Sequence, residues 1–325
     1  MSLSAIPDFS PAFFSLFSRY ARWYVGRSFH AVRLSLGGLP PETDSDRPMV
    51  IFLNHASWWD PMIAVLLAER FWKSRPHYAP IEAAALEKYR FFRKLGFFPV
   101  EKHSPRGARQ FLQTSLKILD QPGAILWITP EAQFVDPRRR PTDLLPGLSH
   151  LARRAPHAVF VPLAIEYPFW QERFPEALCR FGCPVFAFSS PGTRGDAPKN
   201  RDPLSICNLQ SPVCNPQFPL HSEMATAPGG AVSGETGRTG SRKMKNEEFN
   251  SEQAAGRRLP SASLGAALQS CQDELAADAI AQDPTKFKSL IGGRAGVSLV
   301  YDLWRRARAA ATGKPFSAEH GGSRE

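Results

Sequence analysis

A central mixed, mainly parallel β-sheet flanked by helices is the α/β fold this sequence predicts, and three observations carry it. From Pro48 to about Phe188, strand-like and helix-like segments alternate at lengths suited to a layered domain. Met49–Leu53 is an unbroken apolar run, as expected of a strand buried on both faces. The chain has 325 residues and is 43% hydrophobic, enough for a sizeable core.

Residues 1–37 are expected to hold an amphipathic N-terminal helix. Phe13, Phe14, Phe17, Tyr20, Trp23 and Tyr24 are mixed there with Arg19, Arg22 and Arg27. Aromatic anchors beside arginines suit a helix lying at a membrane interface. A helix packed on the domain by its aromatic face shows the same pattern, and periodicity does not separate the two.

The main domain is expected over 38–188. After the strand Met49–Leu53 come a buried helix over Pro61–Phe71, a strand over His77–Ile81, a helix over Ala83–Leu95 and a strand over Phe97–Val100. Ser104 is an N-cap candidate with Pro105 at the first helical position, opening a helix to about Leu119. Ala124–Ile128 reads as a strand, Leu144–Arg154 as a helix, and Val159–Ile165 and Arg180–Phe188 as strands.

Between 189 and 261 the periodicity collapses into Pro, Gly, Ser, Thr and Asn, which predicts a disordered insertion or linker. The remainder, 262–325, is expected to be a helical segment packed on the domain with a flexible tail. Leu264, Leu268, Cys271 and Leu275 fall at helical spacing, and a final helix is expected over Ala295–Ala311.

A net charge of +10 points to an anionic partner such as a membrane surface, a phosphorylated ligand or nucleic acid. No helix-turn-helix, aromatic RNA-binding strand or zinc-finger pattern supports nucleic acid. Five cysteines are few and odd in number, which argues against a disulfide framework and for a reducing compartment. The spacings Cys179-x3-Cys183 and Cys207-x6-Cys214 are poor for zinc. No segment approaches the ~20 apolar residues of a membrane-spanning helix. No basic stretch precedes an apolar core at the N-terminus, so no signal peptide is expected.

The chemistry concentrates at Asn54-His55-Ala56-Ser57-Trp58-Trp59-Asp60, where a buried strand gives way to a helix. Ligands in α/β proteins gather at such strand ends. A carboxylate bonded to one ring nitrogen of His55 would leave the other free to take a proton from a hydroxyl. Ser57-x-x-Asp60 also has the form of a helix capping box, which would occupy Asp60 with free amides. Trp58 and Trp59 suit either core packing or a channel wall. His103, without a carboxylate at useful spacing, reads as a partly exposed histidine at a strand end.

Asn54-His55-x4-Asp60 resembles the first signature of the glycerolipid acyltransferase family. Gly96-Phe97-Phe98-Pro99-Val100-Glu101-Lys102 resembles the second, with Lys102 in place of arginine. Thr129-Pro130-Glu131-Ala132-Gln133-Phe134 resembles the third, and Val161-Pro162-Leu163-Ala164-Ile165 the fourth. The similarity spans roughly Val50 to Phe188.

The resemblance implies His55 as general base and Asp60 as its orienter, with the acceptor oxygen attacking an acyl-CoA or acyl-carrier-protein thioester. No metal or other cofactor is implied. It assigns substrate binding to Glu131, Lys102, Gly96, Pro130 and Phe134. It also implies a peripheral protein on the cytoplasmic face of a membrane, where a lipid alcohol acceptor resides.

The family's third signature ends in glycine, threonine and arginine, where this chain has Ala132, Gln133 and Phe134. A phenylalanine cannot make the bidentate phosphate contact of an arginine. Arg138, Arg139 and Arg140 follow closely and could replace it, or form an ordinary basic surface. The departures point to a bulkier or less charged lipid alcohol, such as a glycolipid, an isoprenoid alcohol or a carotenoid glycoside. They also leave room for a non-catalytic lipid- or membrane-binding protein on the same fold.

Overall fold

Parallel strands need crossovers, and the helices that supply them cover both sheet faces here. The structure, a computed structural model, describes residues 6–102, 104–186, 261–296 and 299–313. His103, Cys207, Cys214, nearly all of the expected 189–261 insertion and the tail beyond 313 lie outside the described residues.

The order is α1 (Pro11–Ser28), β1 (Ala31–Ser35), β2 (Met49–Leu53), α2 (Asp60–Phe71), β3 (His77–Glu82), α3 (Ala83–Lys88), β4 (Phe97–Val100), α4 (Pro105–Leu119), β5 (Ile125–Ile128) and α5 (Gly147–Arg154). Then follow β6 (Val159–Glu166), β7 (Glu176–Phe181), β8 (Val185–Phe186), α6 (Ser261–Ala281), β9 (Phe287–Gly292) and α7 (Leu299–Thr312). The sheet order is β4-β3-β5-β2-β6-β7-β1-β9, with β8 paired to β6. From β4 to β6 every pairing is parallel, whereas β7 and β8 on β6, and β9 on β1, are antiparallel.

β2 lies between β5 and β6, and all five of its residues are buried. Met49, Ile51 and Leu53 face one core cluster with α1 and α2, while Val50 and Phe52 face the other with α4, α5 and α6. That two-sided burial is why the run lacks polar alternation.

On α1, Phe14, Ser18, Ala21 and Val25 are buried, the spacing of one helix face. Leu16, Tyr20 and Trp23 are exposed on the same helix. The helix is therefore packed on the domain by one face and leaves these three apolar side chains on its open side. At α4, Ser104 Oγ accepts from the Gly107 N–H at 2.9 Å and Pro105 opens the helix.

Several elements differ from the sequence expectation. The helix expected over Ala83–Leu95 breaks at Tyr89 into α3 and a 3₁₀ turn, Arg90–Lys94. The tighter turn lets Phe92 and Leu95, three residues apart, reach the same core. The strand expected at Arg180–Phe188 runs instead over Glu176–Phe181, and Gly182-Cys183-Pro184 separate it from β8. Two charges disguised it. Glu176 is ion-paired with Arg33 and bonded to the His30 ring, and Arg180 is paired with Glu274 and Asp278.

The helix expected from Leu144 starts at Gly147, because the Leu145 N–H is engaged by the Pro130 carbonyl at 2.9 Å. The final helix is described over Leu299–Thr312, residues 297 and 298 lying outside the described residues, and its Trp304 is exposed. β1 and β9 had no counterpart in the sequence reading. They extend the sheet from within the segments expected to be terminal helices.

Candidate active site

Three adjacent parallel strands, β5, β2 and β6, end at one edge of the sheet, and their following loops meet there. β2 runs into Asn54-His55, β5 into Thr129-Pro130-Glu131, and β6 into Tyr167. Carboxyl edges of this kind are where α/β sheets hold ligands.

Asn54 is fully buried and closes the β2–β6 ladder with its side chain. Its Nδ2 donates to the Ile165 carbonyl at 3.0 Å, and its Oδ1 accepts the Ile165 N–H at 2.8 Å. The amide thus replaces one more backbone pairing, after which the chain is free to turn.

His55 Nδ1 lies 2.7 Å from Asp60 Oδ2. A carboxylate accepts, so Nδ1 carries the proton and Nε2 presents its lone pair. Asp60 Oδ2 also accepts the Ser57 N–H at 3.0 Å, within the turn that precedes α2, whose N-cap position is Trp59 and not Ser57. The capping box expected from Ser57-x-x-Asp60 does not form, because the helix begins at Asp60 itself, and one carboxylate oxygen serves both the His55 ring and the Ser57 N–H. The carboxylate is 1% exposed, and its other oxygen accepts the Tyr167 hydroxyl at 2.6 Å. Desolvation, and then the Asp60 charge, push the Tyr167 hydroxyl well above its ordinary range, so it remains a donor.

The loop after β5 holds the His55 main chain at both ends. The His55 N–H donates to Glu131 Oε2 at 2.6 Å, and the His55 carbonyl accepts the Val135 N–H at 2.9 Å. Burial raises the Glu131 carboxyl, and the His55 N–H opposes that shift by favouring the ionised form. Ala132 in this loop has φ 53°, the left-handed conformation that favours glycine. The backbone shape expected of a glycine thus persists on an alanine. Phe134, 62% exposed, sets its ring 4.4 Å from the His55 ring.

His55 and Asp60 line a cavity of about 770 Å³ whose other walls are mostly apolar, including Leu53, Ala64, Ala68, Phe97, Trp127 and Phe14 of α1. That size falls in the range of small-molecule sites. Pro130 and Lys102 line it too, and Lys102 Nζ is 3.0 Å from Glu82 Oε2. Gly96 does not line it. Its φ of 83° and its closeness to the His77 carbonyl give it a backbone role between β3 and β4. Arg138 pairs with Asp136 at 2.7 Å and Arg140 with Asp273 at 2.7 Å.

His77, also in the cavity wall, is sealed on both nitrogens. It donates from Nε2 to the Trp72 carbonyl at 3.1 Å and accepts the Trp127 indole N–H at 3.3 Å. Desolvation first, with nearby Arg75 adding, lowers it to about 3.

The two tryptophans divide. Trp59 packs against the core, whereas Trp58 is exposed beside Trp59 and Tyr24. Cys179 and Cys271 are buried thiols raised by desolvation, and Cys183 is exposed. Among the described residues, no group of three or more His, Cys, Asp or Glu is placed to hold a metal ion. Tyr167 and the clamping role of Asn54 escaped the sequence reading. The position of Tyr167, two residues past the fourth signature strand, was the one available signal.

Residues 39–166 match the Acyltransferase family model. Among solved structures, the chain is similar to the 1-acyl-sn-glycerophosphate (LPA) acyltransferase PlsC from Thermotoga maritima. That likeness has 15% identity and a TM-score of 0.34, covering 56% of this chain and 72% of that one. No curated protein matches.

Proposed function

We propose, for a chain whose residues 39–166 match the Acyltransferase family model, that it moves a fatty acyl group from a soluble thioester to a hydroxyl of a membrane lipid. The observation that carries this reading is the His55–Asp60 contact in the wall of an apolar cavity. His55 Nε2 takes the proton of the acceptor hydroxyl as its oxygen bonds to the thioester carbonyl carbon. The C–S bond then breaks, and the imidazolium returns the proton to the departing thiolate. Asp60 holds the ring and supports its positive charge. General-base help of this kind contributes roughly 10²–10⁴ in rate. The donor is acyl-CoA or acyl-carrier protein, and its chain occupies the apolar cavity.

The acceptor headgroup is not a phosphomonoester. Three observations support that reading. Lys102 is already paired with Glu82, Arg138 and Arg140 have carboxylate partners, and Phe134 stands where a phosphate-binding arginine is expected. A neutral lipid alcohol, such as a glycolipid, suits the exposed aromatic ring beside His55.

The protein works as a peripheral enzyme on the cytoplasmic face of a membrane. Supporting this, Tyr20, Trp23 and Tyr24 of α1 join Trp58 in a chain of ring contacts, and the Arg27 guanidinium sits 5.3 Å over Trp23. No described helix is long and apolar enough to cross a membrane.

A non-catalytic lipid-binding protein is the alternative, favoured by the altered residues Ala132, Gln133 and Phe134. Incubating wild type and His55→Ala with labelled acyl-CoA and a membrane lipid extract separates the two. Transfer that disappears in the variant supports the acyltransferase. Transfer that survives rejects His55 as base. Vesicle binding without transfer by wild type favours the alternative.

A further inference from the structure

We propose that Tyr167 is a positioning residue of this centre, acting on His55 through Asp60. The proposal rests on the reading of His55 as the general base.

Asp60 is buried at 1% exposure, where a carboxylate oxygen without a donor would be costly. Oδ2 is supplied by His55 Nδ1–H and Ser57 N–H, and Oδ1 receives the Tyr167 hydroxyl at 2.6 Å. The phenol therefore completes the carboxylate's donor set and fixes the plane in which Asp60 meets the imidazole. Charge-assisted O–H···O⁻ contacts this short are among the stronger hydrogen bonds in proteins.

The phenol is itself fixed. Asn54 clamps Ile165, two residues earlier, and the Tyr167 ring packs 5.6 Å from Phe29. Tyr167 does not line the cavity, so it reaches a substrate only through Asp60. The other titratable groups around Asp60 are His55, Glu131 and the buried Cys179 thiol. Desolvation keeps that thiol protonated, and the Tyr167 hydroxyl stays protonated for the same reason. The residue is thus a fixed donor and not a proton carrier.

Without that donor, the charge on Asp60 falls entirely to His55 and Ser57. The contact between the Asp60 carboxylate and the protonated ring is then stronger than in wild type. In Tyr167→Phe, kcat should fall roughly 10-fold or more with KM for acyl-CoA unchanged, since catalytic hydrogen bonds are worth this order. The acid limb of the pH–rate profile should move to higher pH, and the low-field proton resonance of His55 Nδ1–H should shift.

Fluorinated tyrosine at 167 is a stronger donor in the same shape and should move the limb the opposite way. It provides the test should Tyr167→Phe fail to fold. Superimposable pH profiles and an unmoved resonance overturn the proposal, as does a rise in KM alone. A shifted resonance in protein that transfers no acyl group, wild type included, overturns the acyltransferase reading instead.

Discussion

The backbone N–H of His55 is bonded to Glu131 Oε2 at 2.6 Å, joining residues 76 apart in sequence. The carboxylate that the family resemblance assigns to the acceptor is, in this geometry, bonded to the main chain of His55, the residue proposed as base. Glu131→Ala should lower kcat at least about tenfold with a smaller change in acceptor KM, because the loss is in positioning. Glu131→Gln keeps an acceptor oxygen and should recover much of it. Steady-state kinetics on both variants is the check, and a change confined to KM would return Glu131 to a direct substrate role.

Asn54 replaces a backbone rung between β2 and β6. Asn54→Ala leaves the Ile165 N–H and carbonyl buried without partners, at about 1–3 kcal/mol for each group. Chemical denaturation should therefore show a loss of at least about 2 kcal/mol. A variant within experimental error of wild type would mean that water fills the gap.

His77 is neutral in the fold, its affinity for protons lowered to about 3 by burial, while in the unfolded chain it titrates near 6.5. Between these values the unfolded state binds more protons, so stability present above pH 6.5 is lost as pH falls toward 3. The slope from this one group is at most about 1.4 kcal/mol per pH unit. A His77→Gln variant should show a shallower fall of Tm with acid than wild type over that window. Parallel curves would refute the assignment.

Phe134 and the Lys102–Glu82 pair together define the headgroup expectation. Phe134→Arg combined with Glu82→Gln supplies a planar cation beside His55 and releases Lys102. The ratio of lysophosphatidic acid to neutral-alcohol acylation should rise by about tenfold or more, equivalent to one charge-assisted contact. Competition between the two acceptors in one assay reads it directly.

Trp23 and Trp58 are exposed at 57% and 53%. If they insert at a bilayer surface, Trp23→Ala with Trp58→Ala should weaken binding to anionic vesicles by roughly tenfold or more, since each indole carries a large apolar area. Acyl transfer to a short, water-soluble acceptor should be unaffected by Trp23→Ala alone. Unchanged sedimentation with vesicles would place the membrane contact elsewhere.

Sequence by itself determined the features that are local. The continuous apolar run of β2, the Ser104–Pro105 cap of α4 and the helical spacing of Leu264, Leu268 and Leu275 each depend on neighbours within a few residues, and each appears in the fold. The His55–Asp60 spacing was readable for the same reason. Only the tertiary structure decided what depends on distant partners. β1 and β9 are short and carry polar residues, so pairing with each other and with β7 defines them. Glu176 and Arg180 hid β7 because their compensating charges come from other elements. The second oxygen of Asp60 had no partner in the sequence reading, and only the fold brought Tyr167 to it across 107 residues. Lys102 could be read as a free cation until Glu82, from β3, was set against it. Spacing along a chain records which side chains share a turn, whereas buried charge is satisfied by whatever the sheet brings alongside.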